Sequence, residues 1–67
     1  MEIKRNFGLA LQIIMNERGF TQQELSQIIG IRQSQISNWL NGNSFPGYKS
    51  LIILHDKLEV SWEKLFS

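Results

Sequence analysis

Apolar residues recur at helical spacing along most of the chain. Phe7, Leu11, Ile14 and Met15 fall at i, i+4, i+7 and i+8, the stripe of an amphipathic helix. Gly19 follows, a residue suited to the left-handed position past a helix end, so the spacing predicts a first helix over about 5–18. FTQQEL then carries a start signal. Thr21 is an N-cap and Glu24, three residues on, completes a capping box, while Phe20 and Leu25 stand at the N′ and N4 positions of a hydrophobic staple. Leu25, Ile28 and Ile29 supply one apolar face, and Gly30 closes this short helix with a tight turn. A third helix is expected over about 32–41, ended by Asn41-Gly42, and NGNSFPG at 41–47 reads as a loop. A fourth helix follows over about 48–58, with Leu51, Ile52, Leu54, Leu58 and Tyr48 expected inward. Val60 and Leu65 flank Ser61 as a second staple, which predicts a short last helix over about 62–66. Strand alternation, repeats and low-complexity runs are absent. The expectation is an all-α fold of five short helices in a single domain spanning 1–67.

Composition narrows this picture mainly by exclusion. The 67 residues suffice for one small domain, and 42% hydrophobic residues allow an apolar core. There is no cysteine, hence no disulfide and no thiolate metal site, and there is one histidine. No segment approaches the ~18 apolar residues of a membrane span. Gln12, Asn16, Glu17 and Arg18 break up the early region where a signal peptide would be continuous, so a cytoplasmic address is expected. A net charge of +1 does not by itself argue for nucleic acid. No nucleophile–base pair, convergent carboxylates, glycine-rich phosphate loop or metal-ligand set is evident. The chain therefore reads as a non-enzyme without a cofactor, and no small-molecule ligand is evident.

The third helix changes the picture. At about 100° per residue, Ile36, Trp39 and Leu40 cluster on one side, and Gln33, Ser34, Ser37, Asn38 and Asn41 take the opposite arc. An exposed helix face is ordinarily rich in Lys and Glu, which form helices well. This face has amides and hydroxyls and no acidic group. Gln and Asn each present a donor and an acceptor that pair with adenine in the major groove, and Ser pairs with several bases. A solvated Gln/Asn-biased face is the alternative reading of the same residues. Two short helices joined by a tight glycine turn are the helix-turn-helix arrangement, whose second helix enters the groove.

FG at 7–8, GFTQ at 19–22, Leu25, Gly30, Ile36, NG at 41–42, Pro46 and LEVS at 58–61 stand in an ordered spacing. In that spacing the chain, over about 7–66, resembles the DNA-binding domain of the Cro/CI (XRE) family of helix-turn-helix regulators, with a lambda repressor-like fold. The resemblance implies roles by position. Gln33 and Ser34 match the main base-reading positions and Asn38 a further groove-facing one, with Ser37 and Arg32 as secondary contacts. Gln22 matches a glutamine that holds a phosphate and braces the first recognition-helix glutamine, here Gln33. Asn41, Asn43, Ser44, Tyr48 and Lys49 match phosphate-following positions. The implied partner is double-stranded operator DNA, bound by a homodimer.

Departures from the family pattern are equally specific. Many members carry an Arg at the position of Met15 and a Glu at that of Leu40, a partly buried ion pair. Two apolar residues here predict direct packing instead, a swap that is often neutral or stabilising. Asn43 replaces a frequent basic residue, and Arg32 and Lys49 are the best-placed cations, so a shallow salt dependence of binding is expected. Among the remaining residues, Trp39 is expected in the core with its indole N–H reaching the surface. Trp62 is expected at the core edge or in a dimer contact. Leu65 and Phe66 either close the core or form a self-association patch. His55 is expected at the surface or core edge, and Lys4 and Arg5 form a solvated start or a phosphate-touching arm. The functional expectation is a sequence-specific transcriptional regulator, a repressor of phage or mobile-element type. The alternative is an antitoxin or anti-repressor acting through a protein partner.

Overall fold

The computed structural model describes residues 3–66 and holds five helices: α1 (Ile3–Arg18), α2 (Gln22–Ile29), α3 (Gln33–Leu40), α4 (Tyr48–Leu58) and α5 (Trp62–Leu65). The all-α architecture is the one the periodicity predicts. Helix α1 begins two residues earlier than expected. In α3, Arg32 and Asn41 serve as N-cap and C-cap rather than as helical residues, and Phe66 caps α5.

The start signals work as read. Thr21 Oγ1 accepts from the Glu24 N–H at 3.1 Å and the Glu24 carboxylate accepts from the Thr21 N–H at 2.9 Å, a complete capping box. Ser61 Oγ likewise accepts from the Lys64 N–H at 3.1 Å. These bonds satisfy donors that a helix start otherwise leaves open.

The core is one cluster. It takes Phe7, Leu11, Ile14 and Met15 from α1, Leu25 and Ile29 from α2, Ile36 and Trp39 from α3, Leu54 and Leu58 from α4, and Val60 and Leu65 beyond. Leu40 packs half-buried against the same cluster that holds Met15, so apolar burial stands where an ion pair was the alternative. Trp39 is 2% exposed, yet no buried side-chain nitrogen or oxygen among the described residues lacks a partner. Phe7 meets Trp39 edge-on at 6.3 Å and Phe45 at 5.4 Å between ring centroids, geometries that suit the aromatic quadrupole.

Gly8 sits where α1 crosses α3. A Cβ built there would stand 2.5 Å from the Trp39 carbonyl oxygen and 2.9 Å from that of Leu40. Only a glycine lets the two backbones approach this closely.

Three inward expectations are corrected. Tyr48 is 79% exposed. It lies roughly 100° around the wheel from the Leu54–Leu58 axis that faces the core. Ile28 is 38% exposed because it flanks, rather than joins, the buried Leu25–Ile29 line. In α4 it is Ile53, not Ile52, that packs against the core beside Leu51. Leu65 is fully buried, and Phe66, though about half exposed, lays its ring 6.3 Å from that of Phe7 and 6.1 Å from that of Phe45, so both residues close the core at this end.

His55 resolves to the core edge with a definite task. Its Nδ1–H donates to the Val60 carbonyl at 2.6 Å, and its ring stacks on Trp62 at 4.2 Å with an 8° interplanar angle. The pair clips the α4–α5 turn, in which Glu59 takes a left-handed conformation with φ 53°. An exposed Lys64–Glu17 ion pair links α5 to α1. Lys4 is exposed, and the Arg5 side chain lies outside the described residues.

Candidate nucleic-acid interface

The turn between α2 and α3 sets the direction of α3. Gly30 ends α2 in the left-handed region at φ 72°, and its N–H donates to the Ser26 carbonyl at 2.9 Å. The Ser26 hydroxyl donates to the Ile31 carbonyl at 2.6 Å. Ile31 then packs half-buried on the core, and Arg32 turns the chain into α3. The Arg32 carbonyl takes the first α3 bonds, from Gln35 at 3.0 Å and Ile36 at 3.2 Å. No side chain caps the N-terminus of α3, so the positive end of its dipole is not screened by a carboxylate or hydroxyl.

Along α3, Ile36 and Trp39 are driven into the core, and this rotates the polar arc outward. Arg32, Gln33, Ser34 and Asn38 are exposed and Ser37 is half-buried. None of the side chains of Gln33, Ser34, Ser37 and Asn38 makes a hydrogen bond within the described residues. Their donors and acceptors are all available to an external partner.

The loop after α3 is held from both ends. The N–H groups of Asn43 and Ser44 donate to the Asn38 carbonyl at 2.9 and 3.4 Å, and Gly42 adopts φ 77°. Phe45 packs on Phe7, and Pro46 is buried. This leaves Asn41, Asn43, Tyr48 and Lys49 exposed and Ser44 half-buried. Gly47 is the N-cap of α4, again without a side-chain cap. Gln22, at the first position of α2, is half-buried. The expected brace from Gln22 to Gln33 is not formed: among the described residues no hydrogen bond joins them.

Charge is distributed in the same sense. No Asp or Glu occurs between Glu24 and Asp56, whereas Arg32 and Lys49 lie within that span. The Glu24 carboxylate is itself tied into the α2 cap. Among the described residues no group of three or more His, Cys, Asp and Glu is placed to hold a metal, and no helix is long and apolar enough to cross a membrane.

Three residues that bear on this surface were given no role from the sequence, Gly8 entering only within the FG marker at 7–8. Gln35 is exposed in the first turn of α3, beside the residues singled out. Gly8 controls how closely α1 approaches α3; a glycine inside a helical run was the available signal. Ser26 spans the turn, and a serine inside a helix was its only trace.

Two short helices meeting at a left-handed glycine, with the second turning a polar face outward, define a helix-turn-helix DNA-binding domain. Residues 11–65 match a family described as helix-turn-helix, and the chain belongs to this Cro/CI-type (XRE) family of DNA-binding regulatory domains. The matched span is slightly shorter than the resemblance at 7–66 suggested. No curated protein and no solved structure gives a significant match.

Proposed function

We propose that the protein is a sequence-specific transcriptional repressor, of phage or mobile-element type, that binds an operator as a homodimer. The observation carrying this reading is the outward face of α3, where Gln33, Ser34 and Asn38 are exposed and make no internal hydrogen bonds, and which carries no acidic residue. In this reading α3 lies in the major groove. Gln33, Ser34 and Asn38 pair with base edges, with Ser37 and Arg32 at the margins of the readout. Gln22, Asn41, Asn43, Ser44, Tyr48 and Lys49 follow the phosphates and set the register. A dimer would place its two α3 helices about one helical turn of DNA apart, on half-sites related by a two-fold axis.

The test is selection of bound duplexes from a random pool, followed by affinity measurement on the selected site. A palindromic motif is expected. Gln33→Ala should lose about 1–3 kcal/mol of discrimination at one base pair per half-site. Unchanged operator preference in that variant would refute the role of Gln33, and recovery of no motif would refute the reading as a whole.

A protein-directed role, as an antitoxin or anti-repressor, draws on a different observation. Leu9 and Ile13, one turn apart on α1, are 58% and 54% exposed. A tight protein complex formed without retention of DNA would favour that role.

A further inference from the structure

We propose that Ser26 is a positioning residue for the recognition helix: its hydroxyl locks the α2–α3 turn and so makes base discrimination possible. The inference rests on the DNA-reading role proposed for α3 above. The Ile31 carbonyl falls between two hydrogen-bond ladders. The Ser26 carbonyl, bonded to Gly30, belongs to the end of α2, and the α3 ladder opens with the Arg32 carbonyl. A carbonyl in such a part-buried bend needs a partner from outside both ladders. Ser26 supplies it at 2.6 Å, a short O–H···O bond.

Ser26 therefore grips both flanks of one peptide. Its own carbonyl accepts from the Gly30 N–H, and its hydroxyl donates to the Ile31 carbonyl one residue later. The grip matters because α3 carries no side-chain cap that would fix its entry by other means. Gln33 and Ser34 follow Ile31 by two and three residues, so rotation of the Ile31 peptide displaces the reading end of α3 first. Bidentate amide–base pairing depends on distance and angle together. Phosphate attraction is less directional and carries no sequence information. Loosening the turn should erode discrimination while sparing sequence-independent affinity. Serine is also a mediocre helix former, so alanine at this position would suit α2 better if the hydroxyl had no task.

The experiment uses the full chain and compares the selected operator with a scrambled duplex of equal length and salt. Ser26→Ala is the first variant. Ser26→Thr and Ser26→Val form an isosteric pair that differs in the hydroxyl, which separates its effect from any cost of volume or β-branching. Affinities are read well below each variant's melting temperature. Ser26→Ala and Ser26→Val should lower the operator-to-scrambled ratio about tenfold, the worth of one well-aligned amide–base pair. Scrambled-duplex affinity should stay within about twofold, as expected for phosphate contacts. Ser26→Thr should keep the wild-type ratio. A wild-type ratio in Ser26→Ala, equal ratios for the Thr and Val variants, or equal losses on both duplexes would overturn the proposal. Wild-type discrimination with no effect of Ser26 defeats this proposal alone. Absence of wild-type discrimination defeats the reading of α3, and the role of Ser26 with it.

Discussion

Gly8→Ala tests the packing that holds the reading helix in place, because two effects of opposite sign meet there. In an unobstructed helix the change would stabilise the protein by about 1 kcal/mol, since alanine forms helices better than glycine. In this fold the new methyl would lie 2.5 Å from the Trp39 carbonyl oxygen, 2.9 Å from that of Leu40 and 3.2 Å from the Leu40 carbonyl carbon. Ordinary contact is about 3.5 Å, so α1 and α3 must separate by close to 1 Å. Both obstructing groups are backbone and cannot rotate aside as a side chain would. Overpacking typically costs about 1–3 kcal/mol, and a backbone obstacle argues for the upper end. The net expectation is a loss of about 2 kcal/mol, or roughly 10 °C in melting temperature for a domain of this size. Thermal and urea unfolding followed by circular dichroism would measure it. Gly47→Ala is the control for steric obstruction: no atom lies within 4 Å of a Cβ at that position, so only the loss of a glycine N-cap, about 1 kcal/mol or less, is expected there. A Gly8→Ala protein as stable as wild type, or more so, would refute the close approach of the two helices. The Trp39 carbonyl also accepts from the Gly42 N–H at 3.2 Å, so retreat of α3 should loosen the turn beyond it as well.

Thr21→Ala removes the cap on α2 and should cost about 1 kcal/mol, seen as a fall of about 4–8 °C in the same melts. Glu59→Gly should raise the melting temperature by a few degrees. The left-handed backbone at φ 53° costs an L-residue about 1–2 kcal/mol, partly offset by the greater freedom of glycine in the unfolded chain; a fall would refute that account. For DNA binding, log K against log salt should slope at about −2 per protomer, reflecting Arg32 and Lys49; −4 or steeper would mean that other cations reach the phosphates.

The first-order fold was readable because its signals are local. TQQE announces a helix by atoms three residues apart, and the two staples and the terminating glycines act over the same distance. The apolar stripes chose which face of α1 and α3 turns inward, and with that the polar arc of Gln33, Ser34 and Asn38 was already assigned outward. Tyr48, Ile28 and Ile52 were misplaced for the complementary reason. Each is apolar and near a buried line, but how much of a helix's flank is covered depends on which neighbours lean against it.

Periodicity and caps, then, already settle five helices, their order and the polar face of α3, since these follow from interactions within a turn or two of chain. The crossing of α1 over α3 at Gly8, the clip of His55 and Trp62 over the last turn, and the tie from Ser26 to Ile31 emerged only when the helices packed. Such contacts depend on distances and angles between elements, which packing sets to within a few tenths of an ångström and which residue spacing does not encode.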